Sequence, residues 1–119
     1  SRVEIGYRLM KELLDSGTSV NGVFCFNDQL ACGALNAIHE SGLRVSDDIG
    51  VIGYDNTALC LVPSEPLTSV SFKKYEIGRR AAEVLLQMIR NPSQPVPRET
   101  VFCPEICVRE SCLGYKPRG

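Results

Sequence analysis

Two polar side chains, Asn27 and Asp55, each follow an apolar stretch of the sequence. An amide both donates and accepts hydrogen bonds, and each oxygen of a carboxylate accepts up to two. The two groups together suit neighbouring hydroxyls of a sugar or the edge of a nucleobase. The residue types alone modestly favour a plainer alternative, in which Asn27 caps a helix and Asp55 forms an Asx turn with the backbone.

The segment that must position these side chains, residues 22–55, is predicted to form a strand, a helix and a strand. Residues 22–26 and 49–54 are apolar throughout, which is typical of parallel strands that are covered on both faces. The residues between them, 28–41, have the apolar spacing of a helix. In one parallel sheet both strands would end at the same edge, where open α/β sheets bind ligands.

Asp28 is predicted to be a helix cap rather than a site residue. It lies in the first turn of the predicted helix, where a carboxylate interacts favourably with the positive end of the helix dipole. His39 lies near the other end of this helix and is interpreted as a surface histidine rather than a catalytic one.

Further elements are predicted from apolar periodicity and from the positions of Gly, Pro and Asn. The clearest is an amphipathic helix, because one face of residues 73–90 is apolar and the other is charged. The loop 56–66 is unusually apolar, which indicates cover for a pocket or contact with a partner. The remaining elements are a helix at 2–16, an extended segment at 67–72, and two short strands at 99–103 and 106–109 that Pro104 separates.

The composition is that of a soluble globular protein and limits the classes of partner. The 119 residues, 44% hydrophobic and 23% charged, are enough for one domain or for part of a larger one. The formal net charge of −1 provides no basic surface for a nucleic-acid backbone. No apolar run is long enough to span a membrane. Because Ser1 leads almost directly into a helical pattern, we expect the chain to be a piece of a longer protein.

Cysteine and histidine usage indicates neither a metal site nor a cofactor. The six cysteines include no CxxC pair, and His39 is the only histidine, so a zinc site is not expected. The even number of cysteines could form disulfides in a secreted protein, but buried free thiols in a reducing cytosol are favoured. No GxSxG elbow, GxGxxG turn or P-loop is present, so nothing in the residues argues for catalysis.

Several stretches of the sequence resemble LacI/GalR-family transcriptional regulators, in the same order and with the same spacing. Residues 27–34, NDQLACGA, match the NDxxAxGA start of the family's strand–helix unit. The stretch 40–56, ESGLRVSDDIGVIGYDN, is similar to the segment that follows it in the family. Residues 66–70 and 75–82 continue the match, and residues 108–111 look like the family's closing VRES.

The resemblance implies an α/β, periplasmic-binding-protein-like fold: a three-layer, Rossmann-type subdomain around a parallel sheet, incomplete in this chain. It places residues 1–119 in the C-terminal portion of a two-subdomain effector-binding domain, mostly in the second subdomain. Residues 73–105 would normally pack on the first subdomain, which this sequence lacks. We therefore expect the apolar face of residues 73–90 to be covered by a partner chain or to rearrange.

The resemblance also implies roles for individual residues. The positions of Asn27 and Asp55 commonly contact the effector in this family, often a sugar or a purine, and Phe26 would line the cleft beside them. This reverses the preference for a plain cap and a plain turn. The helix 28–41 and the loop 56–66 would form the dimer interface, with contacts expected from Leu30, Ala31, Cys32, Leu35, Leu59 and Leu61.

The sequence is therefore interpreted as the effector-sensing, dimerising portion of a cytoplasmic transcriptional repressor that is not an enzyme. The expected partners are a sugar-like or nucleobase-like effector and further copies of the chain, in a homodimer or higher oligomer. DNA would be bound only through the absent N-terminal domain, and no membrane contact, metal or cofactor is expected. Two rival interpretations are a periplasmic sugar-binding protein of an ABC transporter and an enzyme with a doubly wound fold.

Overall fold

A four-stranded sheet organises the described part of the protein. The computed structural model describes residues 1–114. Its helices and strands are α1 (Arg2–Asp15), β1 (Gly22–Phe24), α2 (Asp28–Glu40), β2 (Gly50–Tyr54), β3 (Thr68–Ser71), α3 (Lys74–Arg90) and β4 (Glu105–Cys107). The strands lie in the order β1-β2-β3-β4, and the first three are parallel. The predicted α/β fold around a parallel sheet is therefore confirmed.

The register of the parallel strands brings their carboxyl ends to one edge of the sheet. Phe24, the last residue of β1, lies opposite Ile52 of β2. Asp55 directly follows β2, and Asn27 comes three residues after the end of β1. Both therefore lie at the edge of the sheet where the sequence analysis expects them.

The core around the sheet depends on a close approach between α1 and α2. Two glycines permit it, because each faces the backbone of the other helix: Gly6 lies against Leu30, and Gly33 lies against Val3 and Tyr7. The alanine-rich face of α2 supplies the largest share of the core. The most deeply buried apolar side chains are Met10, Ala31, Ala34, Leu35, Ala37, Ile38, Ile49, Val51, Cys60 and Leu67.

The described helices cover only one face of β1. Successive strand residues point to opposite faces, and Cys25 is buried while its neighbours Phe24 and Phe26 are 64% and 81% exposed. The expectation that this strand is covered on both faces is therefore wrong for residues 1–114. A second covering layer is missing at this strand, in line with the incomplete fold that the sequence predicts.

The described residues form two compact units, residues 1–70 with the described segment from Ile106, and residues 71–105. The second unit contains α3, none of whose side chains is buried. On its apolar face, Leu86 and Ile89 are exposed. This apolar face is therefore open to water in the described residues, and its cover by a partner chain or by a rearrangement stays a prediction.

The segment from residue 99 to residue 109 contains one strand rather than the two expected. Residues 99–104 form no strand, and β4 begins directly after Pro104. Proline cannot donate a hydrogen bond to a neighbouring strand, so regular pairing starts only beyond it. The extended segment predicted at 67–72 is confirmed as β3.

The described part of the chain holds neither a disulfide nor a metal cluster. All six cysteines are free thiols, but only Cys25 and Cys60 are buried and Cys103 is exposed, so the expectation of buried thiols is met in part. No group of three His, Cys, Asp or Glu side chains within residues 1–114 could hold a metal ion. No helix in this range is both long and apolar enough to cross a membrane.

Replacing Gly33 with alanine should destabilise the chain. The added Cβ would overlap the carbonyl oxygen of Val3 and lie 2.6 Å from the amide nitrogen of Tyr7, so the two helices must move apart. We expect the free energy of unfolding to fall by about 1–3 kcal/mol, as in other overpacked cores, in urea denaturation. Gly78→Ala is the matched control, because this helical glycine has open space around it. Equal stability of the two variants would contradict the close packing.

Candidate functional site

Asn27 and Asp55 lie together at the carboxyl edge of the sheet. Both line one cavity of about 160 Å³ in the first unit. The rest of the lining comes from α1, the start of α2 and the loop after β2, and consists of Arg2, Asp28, Gln29, Thr57 and Leu59. The structure thus brings together the two polar side chains that the sequence singles out.

Phe26, the third predicted site residue, lies beside a different cavity. This second cavity, of about 240 Å³, is apolar and runs along β1, with Leu9, Met10 and Phe24 among its lining residues. Phe26 is not among the residues that line the smaller cavity. Its place in an effector cleft stays a prediction.

Asn27 serves as the N-cap of α2. Its backbone is extended, with φ −154° and ψ 171°, and its side-chain oxygen accepts a hydrogen bond from the backbone N–H of Leu30 at 2.9 Å. Because the cap uses Oδ1, the amide nitrogen is the group that can donate to a ligand in the cavity. The capping role and a binding role are therefore compatible in one residue.

Asp55 and Asn56 form a strained turn at the cavity. Their φ angles are 101° and 49°, positive values that residues other than glycine seldom adopt, although Asp and Asn tolerate them better than most. The backbone N–H groups of residues 55–57 are all hydrogen-bonded, which holds the turn in place. Their acceptors are, in order, the Val70 carbonyl oxygen at 3.0 Å, the Ser69 hydroxyl at 3.0 Å and the Asp28 carboxylate at 2.7 Å.

Asp28 is a buried junction rather than the plain helix cap that the sequence predicts. Its carboxylate is 1% exposed and accepts hydrogen bonds from the Ser69 hydroxyl at 2.6 Å and from the Thr57 hydroxyl at 2.8 Å. The Thr57 backbone N–H and the Cys60 thiol also donate to it. A buried charge is tolerated when its oxygens are hydrogen-bonded, so these donors fix Asp28 between α2, the loop after β2, and β3.

A glycine in β2 leaves room for this carboxylate. A Cβ on Gly53 would lie 2.5 Å from Oδ1 of Asp28 and 3.0 Å from a methyl group of Leu67. Glycine inside a strand often marks such a close approach. The sequence therefore contained a signal for the buried position of Asp28, although the strand pattern alone did not reveal what approaches.

The environment of Asp28 favours its ionised form. Burial alone would raise the pKa of this carboxyl, but the hydrogen bonds from Ser69 and Thr57 outweigh burial and lower the pKa from its ordinary value of 3.8. The ionised carboxylate therefore stabilises the folded chain above about pH 4, and this contribution is lost as the pH falls through the lowered pKa. Burial, together with the nearby Asp28, raises the pKa of the Cys60 thiol to about 11, which keeps it protonated as a donor.

The C-terminal segment holds the same turn from a second direction. The Arg109 guanidinium donates to Oδ1 of Asn56 at 2.7 Å and to the Leu67 carbonyl oxygen at 2.8 Å. Its backbone N–H donates to the Thr68 hydroxyl at 2.8 Å, and the Ser111 hydroxyl accepts from the Thr68 backbone N–H at the same distance. The VRES stretch therefore supports the loop that carries Asp55.

Three contributions to the cavity were not predicted from the sequence. Arg2 brings a cation to the lining, Thr57 brings a hydroxyl, and Asp28 connects the surrounding elements. The proximity of Thr57 to Asp55 in the chain was an available signal. Arg2 gave none, because its place at the cavity depends on how α1 packs on α2.

Part of the predicted dimer interface is inaccessible to a partner. Ala31 and Leu35 are fully buried in the chain's own core, and Leu30 is half-buried against it. The expectation that Ala31 and Leu35 contact a partner is therefore corrected, because both side chains are buried within the chain's own core.

The other predicted interface residues are more accessible. Leu61 is 69% exposed, and Cys32 and Leu59 are half-buried. The Cys32 thiol lies 3.9 Å from the Leu59 carbonyl oxygen, so the middle of α2 and the loop after β2 adjoin. We call Cys32, Leu59 and Leu61 the loop patch.

A parallel sheet with convergent polar side chains at its carboxyl edge is typical of α/β ligand-binding domains. Residues 2–112 match the family of periplasmic binding protein-like domains, and the chain belongs to this family. Among curated proteins, it is 40% identical over 109 residues to the HTH-type transcriptional repressor PurR of Pasteurella multocida, covering 91% of this chain and 32% of the relative. It is 37% identical over 107 residues to the ribose operon repressor of Haemophilus influenzae, with coverage of 90% and 32%.

Solved structures give the same assignment. A LacI-family transcriptional regulator from Arthrobacter sp. FB24, in complex with lactose, matches with a TM-score of 0.84 and 29% identity over 93% of this chain and 42% of that one. The lac repressor dimer bound to operator and the anti-inducer ONPF matches with a TM-score of 0.78 and 31% identity, covering 92% and 38%. The resemblance to LacI-family regulators is confirmed, and the chain spans about a third of the length of the curated relatives it matches.

The capping role of Asn27 can be measured by two substitutions. Asn27→Ala removes the oxygen that binds the Leu30 N–H and should lower the free energy of unfolding by about 1 kcal/mol, the usual value for a lost N-cap. Asn27→Ser keeps a capping oxygen and should stay within about 0.5 kcal/mol of the original chain. Urea denaturation measures both. Equal losses would show that the cap oxygen is not what Asn27 contributes to stability.

Proposed function

We propose that this chain is the effector-sensing, dimerising portion of a LacI-type transcriptional repressor. The observation that carries the proposal is the convergence of Asn27 and Asp55 at one cavity, in a chain whose relatives and structural neighbours are transcriptional regulators. In the full-length protein, a further N-terminal domain would bind DNA. The named relatives are repressors, which favours a cytoplasmic regulator over a transport protein or an enzyme.

The proposed effector is a sugar or a nucleobase-like molecule. Asp55 can accept hydrogen bonds from hydroxyl or ring N–H groups, the amide nitrogen of Asn27 can donate one, and Arg2 adds donors at the lining. One structural neighbour is a complex with lactose, and one relative is a ribose operon repressor. The cavity of about 160 Å³ is smaller than the roughly 300–1,000 Å³ of most ligand sites, so a first subdomain would supply the opposite wall.

Effector binding would act by a population shift. An effector that contacts both subdomains favours the closed arrangement of the cleft, and this changes how the DNA-binding heads are placed. Residues 71–105 are proposed to pack on the first subdomain, where the exposed apolar face of α3 would find its cover. This assignment is supported by the separate compactness of the segment and by the exposure of Leu86 and Ile89.

The proposed dimer surface is the loop patch. Its residues are apolar and at least partly accessible, with Leu61 the most exposed, and Val62 next to it is exposed as well. Burying such a patch against a second copy would remove apolar area from water. The match to the lac repressor dimer supports a dimer as the working state.

In the full-length protein, Asp55→Asn should weaken effector binding without unfolding the domain. Asparagine tolerates positive φ, so the turn is kept while the charge is lost. A hydrogen bond to a charged group contributes about 1.5–3 kcal/mol, and Kd should therefore rise on the order of tenfold to a hundredfold. Titration calorimetry with D-ribose, lactose and purine bases as probes measures the change.

The matched control for this substitution is Asp15→Asn. It removes the same charge at the exposed end of α1 and should leave every Kd unchanged. An unaltered affinity in Asp55→Asn for a probe that the original protein binds would rule out Asp55 as an anchor.

Leu61→Glu should dissociate the proposed dimer. A carboxylate in the loop patch would have to be buried without a partner on association, which is strongly unfavourable. Leu113→Glu is the matched control, because Leu113 has a similar exposure, 67% against 69% for Leu61, but lies outside the patch. Light scattering at micromolar concentration should show a monomer for Leu61→Glu and a dimer for the control. A monomeric original protein would contradict the dimer proposal.

A further inference from the structure

The direction of the Asp55 side chain depends on a backbone conformation that the residue does not favour by itself. Both Asp55 and Asn56 have positive φ, and such outliers persist when the surrounding structure over-determines them. The groups that hold the turn therefore decide where the Asp55 carboxylate lies. Those groups are identifiable from their hydrogen bonds.

Asp28 controls two of the three backbone N–H groups in this turn. It accepts directly from the Thr57 N–H at 2.7 Å. It also accepts from the Ser69 hydroxyl at 2.6 Å, which orients that hydroxyl to accept from the Asn56 N–H at 3.0 Å. The third N–H, that of Asp55 itself, is held by the main chain of β3.

Asp28 is itself poorly placed to bind an effector. It is 1% exposed, and both of its carboxylate oxygens accept hydrogen bonds from the protein. The charge matters, because hydrogen bonds to an ionised acceptor are shorter and stronger than neutral ones. An asparagine at this position would present an amide nitrogen to Thr57 or Ser69, where the structure needs an acceptor.

We propose that Asp28 is a positioning residue for the effector site: through Thr57 and Ser69 it holds the strained turn that places Asp55 at the cavity. Arg109 acts with it by fixing the side chain of Asn56. This inference rests on the proposed function for the role of Asp55. The part that concerns the turn can be tested without any ligand.

The first measurement is amide hydrogen exchange in the full-length protein. Asp28→Asn should raise the exchange rates at Asn56 and Thr57 on the order of tenfold, because local opening governs exchange at such sites, with the core of α2 unchanged. Asp15→Asn is the control and should change neither rate. Unaltered exchange at both amides, or a uniform rise throughout the chain, would overturn the positioning role.

A second pair of variants keeps the test decisive should Asp28→Asn fail to fold. Thr57→Val removes one hydroxyl donor from the network and keeps the size of the side chain, whereas Thr57→Ser retains the hydroxyl. The exchange rates of the amides at positions 56 and 57 should rise in Thr57→Val. In Thr57→Ser they should return towards the rates of the original protein. Equal rates in these two variants would count against the network.

The effect of Asp28 on ligand binding is tested by a double-mutant cycle that combines Asp28→Asn with Asp55→Asn. Calorimetry with D-ribose, lactose and purine bases measures the affinity of each variant. Groups in one network couple strongly, so Asp28→Asn should weaken binding on the order of tenfold in the original protein and hardly at all when Asp55 is already replaced. Additive losses would reduce Asp28 to a general structural role. If the original protein binds none of these probes, the proposed effector class fails, while the exchange comparison still decides the inference.

Discussion

One buried charge, the carboxylate of Asp28, joins the parts of this domain that meet at the candidate site. It lies at the first turn of α2, yet its hydrogen bonds go to Thr57 in the loop after β2 and to Ser69 in β3. A carboxylate is costly to bury unless it is satisfied, so these elements can pack only in an arrangement that satisfies it. Gly53 is part of the same arrangement, because any side chain at this position would overlap the Asp28 carboxylate.

The elements that local patterns determine were predicted well. The apolar patterns located the three helices, two parallel strands and the extended segment that forms β3, and the strand ends located Asn27 and Asp55 at one edge. The network of Asp28 was not predicted, since its partners lie 29 and 41 residues away along the chain. Distances of that kind follow from tertiary packing, which a linear pattern does not contain.

The errors have a common physical cause. An apolar residue signals burial but not what buries it. The family resemblance assigned Leu35 to a partner, whereas the chain's own core buries it. The apolar pattern predicted two covered faces for β1, whereas Phe24 and Phe26 are exposed in the described residues. The apolar residues of β1 predict that both faces are buried. If another part of a longer protein buries one of these faces, that face is exposed in the present chain.

The left-handed conformation of Asp55 and Asn56 also bears on how ligand preference could diversify among such domains. Aspartate, asparagine and glycine tolerate positive φ, whereas β-branched and bulky residues do so poorly. Evolution therefore has a narrow choice of side chains at this wall of the cavity, whatever the ligand. The adaptable positions are those on regular backbone, such as Arg2 at the start of α1. A fixed Asp55 together with substitutions at positions such as Arg2 would let one fold acquire new ligands while the turn at residues 55 and 56 stays unchanged.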